Sequence, residues 1–442
     1  MTRKIYDFKP EAGMTTVEVI GIIALIITLM TTSILLVQTT RRGIIHSSDR
    51  EKAVNIAESG VNDYLWRLNK DRLYYLNFIH PAQGKDALGA DKWVDFGEGQ
   101  YHLEIAPPSG NVPAITVTAT GRVKGSTGAY VSRKITALIR KKAFTNYIYM
   151  TDYEIVEGTN SVIWWVTGDI IMGPLHTNDN LHTDGTPHFM REVTMTGVLD
   201  ARNGTPTFDQ GYTEHAAALD FPPTNLELKS LALQGGYYYY GQTTITLVGS
   251  SLTIANSDTS GKTKGPVGTV SFPTNGVVYV DGLASAKYTA NNGDVYISGT
   301  YSGGLTVGAK NIIYVTADVL NGDLVNGILG LVADNYVYIN HYNRTGVDVA
   351  PFDVRIDAAI AAVNHSFGFE RYSEGNQRGT ITLKGSICQR YRGPVGTFSA
   401  TRRTGYYKKY EFDERMAYLA PPHFIEPANA GFEIIKWLES AP

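Results

Sequence analysis

The pattern of apolar and polar residues changes in character along the chain, and its first part is the most distinctive. From Val17 to Val37 the residues are nearly all apolar, with Glu18 as the one charged side chain. A helix of this length spans about 32 Å, which is enough to cross the hydrocarbon core of a bilayer. The pattern therefore predicts a transmembrane helix over 17–37.

A second helical pattern continues beyond the apolar run. No proline occurs between Met14 and His80, and small or apolar residues recur at helical spacings. These residues are Ala53, Ala57, Gly60, Val61, Tyr64, Leu65 and Leu68. The pattern predicts one long helix over 14–71, whose second half is amphipathic and packs on a globular domain.

Between residues 72 and 143 the apolar period changes from that of a helix to that of a strand. Alternating runs occupy Tyr101–Ile105, Ala114–Ala119 and Val131–Ile139, with glycine, proline and serine between them. We expect a small antiparallel sheet that covers the long helix.

From residue 144 to residue 442, short apolar runs recur between glycine and asparagine turns. They include Gly276–Val280, Gly293–Ile297, Gly304–Val307, Asn311–Val315, Leu329–Ala333, Tyr336–Ile339 and Gly379–Ile387. Such runs favour stacked coils, as in a parallel β-helix or β-solenoid. Because their period is irregular, a β-sandwich is the alternative fold. The helical spacing of Asp353 to Ala362 predicts a segment that caps or pads an open end.

The fold class predicted from these patterns is α+β. A long N-terminal helix lies on a small antiparallel sheet, and a mainly-β domain follows. Composition agrees, because the 442 residues include 45 glycines and 28 tyrosines, as in turn-rich β proteins.

Charge and cysteine content exclude some classes of function. A net charge of −3 argues against nucleic-acid binding. The single cysteine, Cys388, excludes an intramolecular disulfide framework. We expect Cys388 to be a buried apolar residue rather than a reactive thiol.

The residues just before the apolar run carry a more specific signal. The segment Ala12-Gly13-Met14-Thr15-Thr16-Val17-Glu18 resembles the type IV prepilin processing site. In that family a membrane aspartyl peptidase cuts after the glycine and methylates the new N-terminus, and a glutamate is the fifth mature residue. The resemblance implies cleavage after Gly13, methylation of Met14 and a role for Glu18 in filament assembly.

A cleaved secretory signal and a plain membrane anchor explain this segment less well. A signal peptide has a shorter apolar region, of about 7 to 15 residues. A plain anchor accounts for neither Gly13 nor Glu18, because a carboxylate within the membrane needs a partner. In a filament, the new ammonium on Met14 of one subunit would neutralise Glu18 of its neighbour. The short leader 1–13 favours a cytoplasmic N-terminus and therefore an external β domain.

Other parts of the chain also resemble minor pilins. Ala57-Glu58-Ser59-Gly60 resembles an element in the N-terminal region of X-type minor pilins, although close packing on a sheet explains these small residues equally. Residues 144–437 resemble an uncharacterised C-terminal domain found behind minor-pilin-like anchors. That resemblance implies no enzymatic or binding activity. The predicted organisation is a prepilin leader (1–13), a pilin helix (14–71), a small pilin-like sheet (72–143) and a solenoid-like β domain (144–442).

Two groups of polar residues are candidates for metal binding and for catalysis. His176, His182 and His188 are six residues apart, which is not a tight metal-ligand spacing, so hydrogen bonding in turns explains them better. Three aspartates near strand ends suggest a glycoside-cleaving carboxylate pair, but their position in solvated turns explains them better. The candidate carboxylates are Asp318, Asp323 and Asp334.

A mixture of tyrosine and basic residues near the C-terminus predicts a surface that stacks on sugars or holds an anionic polymer. The candidate residues are Tyr391, Arg392, Tyr406, Tyr407 and Tyr410. The opposing interpretation is that alternate tyrosines face the core while the cations pair with neighbouring acids.

These observations together predict a non-enzymatic minor type IV pilin, present in low copy or at the filament tip, with no cofactor and no metal. The expected partners are other pilins through the N-terminal helix, the prepilin peptidase and the assembly platform, with a glycan or surface ligand for the β domain. Before assembly the protein would lie in the inner or cytoplasmic membrane, and afterwards on the extracellular pilus. A type II secretion pseudopilin, a pilus-anchored adhesin and a polysaccharide-active β-helix protein are the alternatives.

Overall fold

The computed structural model describes residues 16–71, 74–76, 92–108, 112–125, 128–398 and 403–440. The chain divides into two compact units. The first unit comprises 1–106, 117–137 and 437–442, and the second comprises 107–116 and 138–436.

The first unit contains one long helix, α1 (Thr16–Lys70), of 55 residues. This helix confirms the predicted continuity of the N-terminal segment from Thr16 onward. Its buried residues all lie in the second half, on one face, as in an amphipathic helix. They are Ala53, Ile56, Ala57, Gly60, Val61, Tyr64 and Leu68.

The sheet of the first unit contains the strands predicted between residues 72 and 143. Its sheet order is β1-β2-β3-β4, with the C-terminal strand Phe432–Ser440 next to β4. β1 and β2 pair in the antiparallel direction. The four strands are β1 (Val94–Phe96), β2 (Gly99–Ala106), β3 (Ile115–Lys124) and β4 (Tyr130–Lys141).

Two glycines allow α1 to approach this sheet closely. A Cβ atom on Gly121 of β3 would lie 2.1 Å from the carbonyl oxygen of Ala53, and one on Gly60 would lie 2.9 Å from the ring of Tyr101. No real Cβ atom makes such contacts, because protein interiors are already close-packed. The small residues of the Ala57 to Gly60 element therefore serve helix–sheet packing.

The second unit is large and mainly β, and its first group of strands is short. A 3₁₀ turn over Phe144–Asn146 precedes them. The strands are β5 (Tyr149–Tyr153), β6 (Trp165–Val166), β7 (Ile170–Ile171), β8 (Leu175–Thr177), β9 (Leu181–Asp184), β10 (His188–Phe189), β11 (Val193–Met195), β12 (Leu199–Arg202), β13 (Thr207–Phe208) and β14 (Tyr212–Thr213).

These short strands form rows of parallel ladders. One row is β5-β8-β11-β14, a second is β6-β9-β12 and a third is β7-β10-β13. Leu175 pairs with Val193 and Leu181 pairs with Leu199. In each pair the two residues are 18 positions apart in the sequence. The same separation of 18 residues occurs in the hydrogen bond between the His176 and Thr194 side chains.

A short helix leads to a second group of longer strands. The helix is α2 (Leu226–Gly235). The strands are β15 (Tyr237–Tyr240), β16 (Thr243–Gly249), β17 (Ser251–Asn256), β18 (Gly268–Ser271), β19 (Val277–Asp281), β20 (Val295–Tyr301), β21 (Gly304–Ala309), β22 (Ile313–Asn321), β23 (Ile328–Ala333), β24 (Val337–Ile339), β25 (Val354–Ala362), β26 (Phe367–Phe369), β27 (Gln377–Tyr391), β28 (Gly396–Phe398) and β29 (Arg403–Phe412).

The second group also pairs mostly in parallel. One row is β15-β19-β21-β23-β25-β27 and another is β16-β20-β22-β24-β26. Antiparallel pairs join β16 to β17, β17 to β18 and β28 to β29. The two rows enclose apolar side chains that are fully buried, among them Ile297, Val315, Leu331 and Ile360.

The two groups of strands join at a pair that is remote in sequence. β27 pairs in parallel with β5, so that Ile387 lies opposite Tyr149 and Cys388 lies opposite Met150. One continuous row therefore runs from β15 to β27 and on through β5 to β14, although β5 comes first in the chain.

The segment from Asp353 to Ala362 corrects one prediction. It contains strand β25 rather than a helical cap, and eight of the nine residues of β25 are buried. A strand that is buried on both faces loses the alternation of apolar and polar residues, so its pattern does not differ from that of a helix. The predicted burial of Cys388 is confirmed, since its side chain has no exposed surface.

Candidate functional site

The first half of α1 exposes a continuous apolar surface. Val17 and Leu36 are 77% and 68% exposed, and the isoleucines and leucines between them are exposed as well. The helix is long and apolar enough to cross a membrane. The hydroxyls of Thr28, Thr31 and Thr32 donate to main-chain carbonyls one turn earlier at 2.8 Å. These bonds satisfy polar groups within an apolar segment.

The predicted processing residues are only partly within the described chain. Glu18 lies on α1, close to the start of its described residues. Gly13 and Met14 lie outside the described residues, so cleavage and methylation stay predictions.

Arg392, one of the five residues predicted to form a binding surface, lies in the interior. Its Nη1 donates to the Glu154 carboxylate at 3.0 Å and to the carbonyl of Ile163 at 2.6 Å. Its guanidinium lies 3.8 Å from the ring centre of Trp165. Buried charges are stable only when paired in this way, so Arg392 anchors the fold and does not reach an external polymer.

Tyr406 and Tyr410 are also buried. The Tyr406 hydroxyl donates to the carbonyl of Pro351, and the ring of Tyr410 stacks on Tyr149 at 6.3 Å. Burial raises the pKa of Tyr149 to about 12. These two tyrosines and Arg392 therefore agree with the core-facing interpretation and not with a surface role.

The other two predicted surface residues are at least partly exposed. Tyr407 is 42% exposed, and its hydroxyl accepts hydrogen bonds from Arg403 and Gln377 at 3.0 Å. Tyr391 is half-buried and stacks on Tyr153 at 5.1 Å. A ligand at these two tyrosines stays a prediction.

The three histidines do not converge on one point. His176 lies on β8, His182 on β9 and His188 on β10, and these strands belong to three different rows. His182 pairs with Asp200 and His188 with Asp209, both at 2.8 Å. In the part of the chain that the structure describes, no three histidine, cysteine or acidic residues could hold a metal ion together.

His176 is fully buried and takes part in a local network. Its ring nitrogens are hydrogen-bonded to Thr194 at 2.7 Å and to Asn178 at 3.0 Å. Burial lowers the pKa of His176 to about 4, although the bond to Asn178 acts in the opposite direction. The neutral imidazole is therefore a structural group near pH 7.

The three candidate aspartates make separate structural contacts. Asp334 is buried and pairs with Lys310 at 2.7 Å. Asp323 accepts hydrogen bonds from the main chain of its own turn, and Asp318 accepts one from the main chain of Arg355 at 2.9 Å. The turn interpretation describes Asp323 well, whereas Asp334 belongs to the interior.

A partly exposed group of aromatic residues, which we call the aromatic strip, was not predicted as a set. Tyr336 lies 4.6 Å from Tyr338 and 4.4 Å from His365 between ring centres. The main-chain nitrogen of Tyr391 donates to the carbonyl of His365 at 3.1 Å, and Tyr391 stacks on Tyr153. The aromatic strip thus comprises Tyr153, Tyr336, Tyr338, His365 and Tyr391.

A glutamate from a distant segment holds one end of the aromatic strip. Glu157 accepts a hydrogen bond from the Tyr336 hydroxyl at 2.6 Å and bonds to Nδ1 of His365. Glu157 and His365 are 208 residues apart, so no local motif connects them. Of the strip, only Tyr391 carried a signal in the sequence, through the basic residues beside it.

A family described as a domain of unknown function (DUF4900) matches residues 74–198, which is less than half of the chain. No curated protein sequence matches. The solved structure of the competence-associated pilin ComZ from Thermus thermophilus is similar over 89% of this chain and 97% of that chain, with 12% identity and a TM-score of 0.27.

Proposed function

We propose that this chain is a minor type IV pilin, anchored in the membrane by the first half of α1 before it joins a filament. The observation that carries the proposal is that α1 has two environments. Its first half exposes apolar side chains, whereas its second half packs on the sheet of its own unit. So large an apolar surface requires lipid or the helices of other subunits around it.

The motif at residues 13–18 supplies the processing step of the proposal. The prepilin peptidase would cut after Gly13 and methylate Met14, and Glu18 would meet the new N-terminus of a neighbouring subunit. Oppositely charged groups within an apolar bundle stabilise each other strongly, because few other partners are present there. This pairing would fix the register between neighbouring helices.

The size of the second unit favours a low-copy or tip subunit. Packing of one helix on the next in a heterologous manner generates an open filament, and a large β unit on every subunit would crowd its surface. The same features also fit a type II secretion pseudopilin, although large tip pseudopilins commonly lack the glutamate that this chain keeps at Glu18.

We further propose that the second unit is a parallel β-helix rather than a β-sandwich. Rows of parallel ladders support this, as does the repeated offset of 18 residues between paired strands. β-Sandwiches are built from antiparallel sheets, whereas stacked coils place each strand beside its equivalent in the next coil.

The proposed role of this β unit is binding rather than catalysis. The rings of the aromatic strip are partly exposed and would stack on a ligand outside the cell, so an adhesin is the second candidate. A glycan array would identify the class of ligand. It would compare the full chain in detergent with a Tyr153→Ala variant. Equal binding by both proteins would remove the strip from the proposal.

Processing and assembly are tested in cells that make the filament. The mature N-terminus should begin with methylated Met14, and Gly13→Val should leave the leader in place. Glu18→Ala should insert in the membrane but be lost from sheared filaments, whereas Glu51→Ala, an exposed acid outside the apolar run, should be incorporated normally. Normal incorporation of Glu18→Ala would contradict the proposal.

A further inference from the structure

A lysine, an asparagine and a glutamate meet at one point in the second unit. Nζ of Lys287 donates to Oδ1 of Asn340 at 2.7 Å and to Oε2 of Glu370 at 2.6 Å. The carbonyl of Tyr342 accepts a third hydrogen bond from Nζ at 2.8 Å. The amine is thus in direct contact with both the carboxamide and the carboxylate.

The strand pairing places these groups together. Asn340 directly follows β24 and Glu370 directly follows β26, and β24 pairs with β26 in parallel. The two side chains therefore stand at the same end of neighbouring strands. Lys287 comes from the connection between β19 and β20 and reaches them from an earlier part of the chain.

The surroundings of Nζ are largely closed to water. The side chains of Lys287 and Glu370 are 17% and 13% exposed, and Asn340 is buried. The ring centres of Tyr288 and Tyr314 lie 4.8 and 4.5 Å from Nζ. Burial lowers the pKa of Lys287, against the opposite effect of the Glu370 carboxylate. A lysine amine in such a setting is a nucleophile once it is neutral.

We propose that Lys287 and Asn340 become joined by an isopeptide bond within the folded chain, with Glu370 as the general base and acid. Glu370 takes one proton from the Lys287 ammonium, and the neutral amine attacks Cγ of Asn340. The Cγ–Nδ2 bond then breaks, while Glu370 returns its proton and the amine gives up a second proton to the departing nitrogen. One ammonium ion leaves, an Nζ–Cγ amide remains, and no oxidant or other reactant is required.

The distances suit this attack. Because the Cγ–Oδ1 bond is about 1.2 Å long, Nζ lies within about 4 Å of Cγ, close to the separation of reacting atoms in near-attack geometries. The fold holds the two groups together permanently, so a reaction that is slow between free side chains becomes a unimolecular one.

The bond would tie two segments that are 53 residues apart. The chain has a single cysteine, so it forms no intramolecular disulfide. An isopeptide bond would supply the covalent link that such a protein lacks. This inference rests on neither membrane anchoring nor filament assembly.

The test is mass spectrometry of the full chain purified in detergent. Tryptic digestion should give one branched peptide that joins the Lys287 and Asn340 segments, lighter than the sum of its two parts by about 17 Da, the mass of one ammonia. Finding both segments only as separate linear peptides, with Asn340 intact, would overturn the proposal.

Variants separate the chemistry from the fold. Lys287→Arg and Asn340→Ala should yield no branched peptide, and Glu370→Gln should lose most of it while Lys287 and Asn340 remain. The thermal unfolding midpoint of each of these three variants should fall by on the order of 5 °C, because the unfolded chain is no longer cross-linked.

Lys310→Arg is the matched control, since Lys310 pairs with a buried carboxylate, Asp334, rather than with a carboxamide. This variant should leave the branched peptide unchanged. A branched peptide that persists in Glu370→Gln would remove Glu370 from the proposed reaction.

Discussion

Arg392 and Glu154 form an ion pair in the interior of the second unit, although 238 residues separate them. The distance between Nη1 and Oε2 is 3.0 Å, and the two side chains are only 2% and 0% exposed. Because removing two charges from water is costly, one partner left alone in this place would strongly destabilise the fold. The pair connects the start of the second unit with the end of its longest strand.

We predict that Arg392→Ala lowers the free energy of unfolding by roughly 3–5 kcal/mol. Urea unfolding followed by tryptophan fluorescence measures this loss, since Trp165 lies beneath the guanidinium. Arg191→Ala is the control, because Arg191 and Glu414 form an exposed pair, whose loss costs less than about 1 kcal/mol. Similar losses of unfolding free energy in the two variants would show that the buried pair stabilises the fold no more than an exposed pair does.

His176 should make the stability of the protein depend on pH. Its folded-state pKa of about 4 lies below the ordinary value of about 6.5, so the unfolded chain binds more protons between these values. The contribution of His176 is therefore complete above about pH 6.5 and is lost as the pH falls toward 4, by about 3 kcal/mol in all.

His176→Asn tests this pH dependence. Unfolding free energies at about pH 7 and pH 4.5 should differ less in the variant than in the original chain, because asparagine does not titrate. Thr253→Ala is the control, since Thr253 is exposed and neither threonine nor alanine titrates, so this variant should keep the pH dependence of the original chain. An unaltered pH dependence in His176→Asn would contradict the prediction.

Gly121→Ala should loosen α1 from the sheet of the first unit. The new Cβ atom would lie 2.1 Å from the Ala53 carbonyl oxygen and 2.5 Å from the Ala57 nitrogen, and main-chain atoms cannot rotate away. We expect a loss of about 1–3 kcal/mol, measured as faster hydrogen exchange in the second half of α1. Gly43→Ala has free space around the new atom and should cause no loss, since alanine favours helices by about 1 kcal/mol over glycine.

The parallel register of β25 and β27 can be tested with an engineered disulfide. Ala361 lies opposite Cys388, and adjacent strands are about 4.8 Å apart, within the range that a disulfide spans. Ala361→Cys should therefore lose both thiols on mild oxidation, as counted by alkylation after unfolding. In Ala362→Cys the new side chain points to the opposite face, so that variant should keep its thiols. Equal oxidation of the two variants would argue against this register.

Much of the secondary structure could be predicted because it depends on neighbouring residues. The apolar run and the spacing of Ala53, Ala57, Gly60 and Leu68 predict α1, and the structure has this helix from Thr16 to Lys70. Short apolar runs between glycine turns locate the strands from β19 to β24, and a further run falls within β27. The prediction over Asp353 to Ala362 is wrong because β25 is buried on both faces, and its sequence carries no alternation.

The contacts of the candidate site residues were harder to predict because their partners are remote in sequence. The spacing of six between His176, His182 and His188 marks successive rows of strands, and not the ligands of one metal. Arg392, Tyr406 and Tyr410 are buried where β27, β29 and β5 come together. The alternation of residues had left burial of the two tyrosines open, whereas nothing near Arg392 in the sequence indicates its pairing with Glu154. Glu157 with His365, and Lys287 with Asn340 and Glu370, are likewise assembled only by strand pairing.

Local patterns in the sequence were enough to predict the long helix with its apolar half, the prepilin-like motif before it and a large β unit behind it. These features depend on periodicity and composition, which act over a few residues. The folded structure was needed to show which residues are buried, that β27 pairs with β5, and which side chains meet as ion pairs or as the Lys287 group. Such contacts depend on the register between strands far apart in the chain, and a local pattern holds no information about that register.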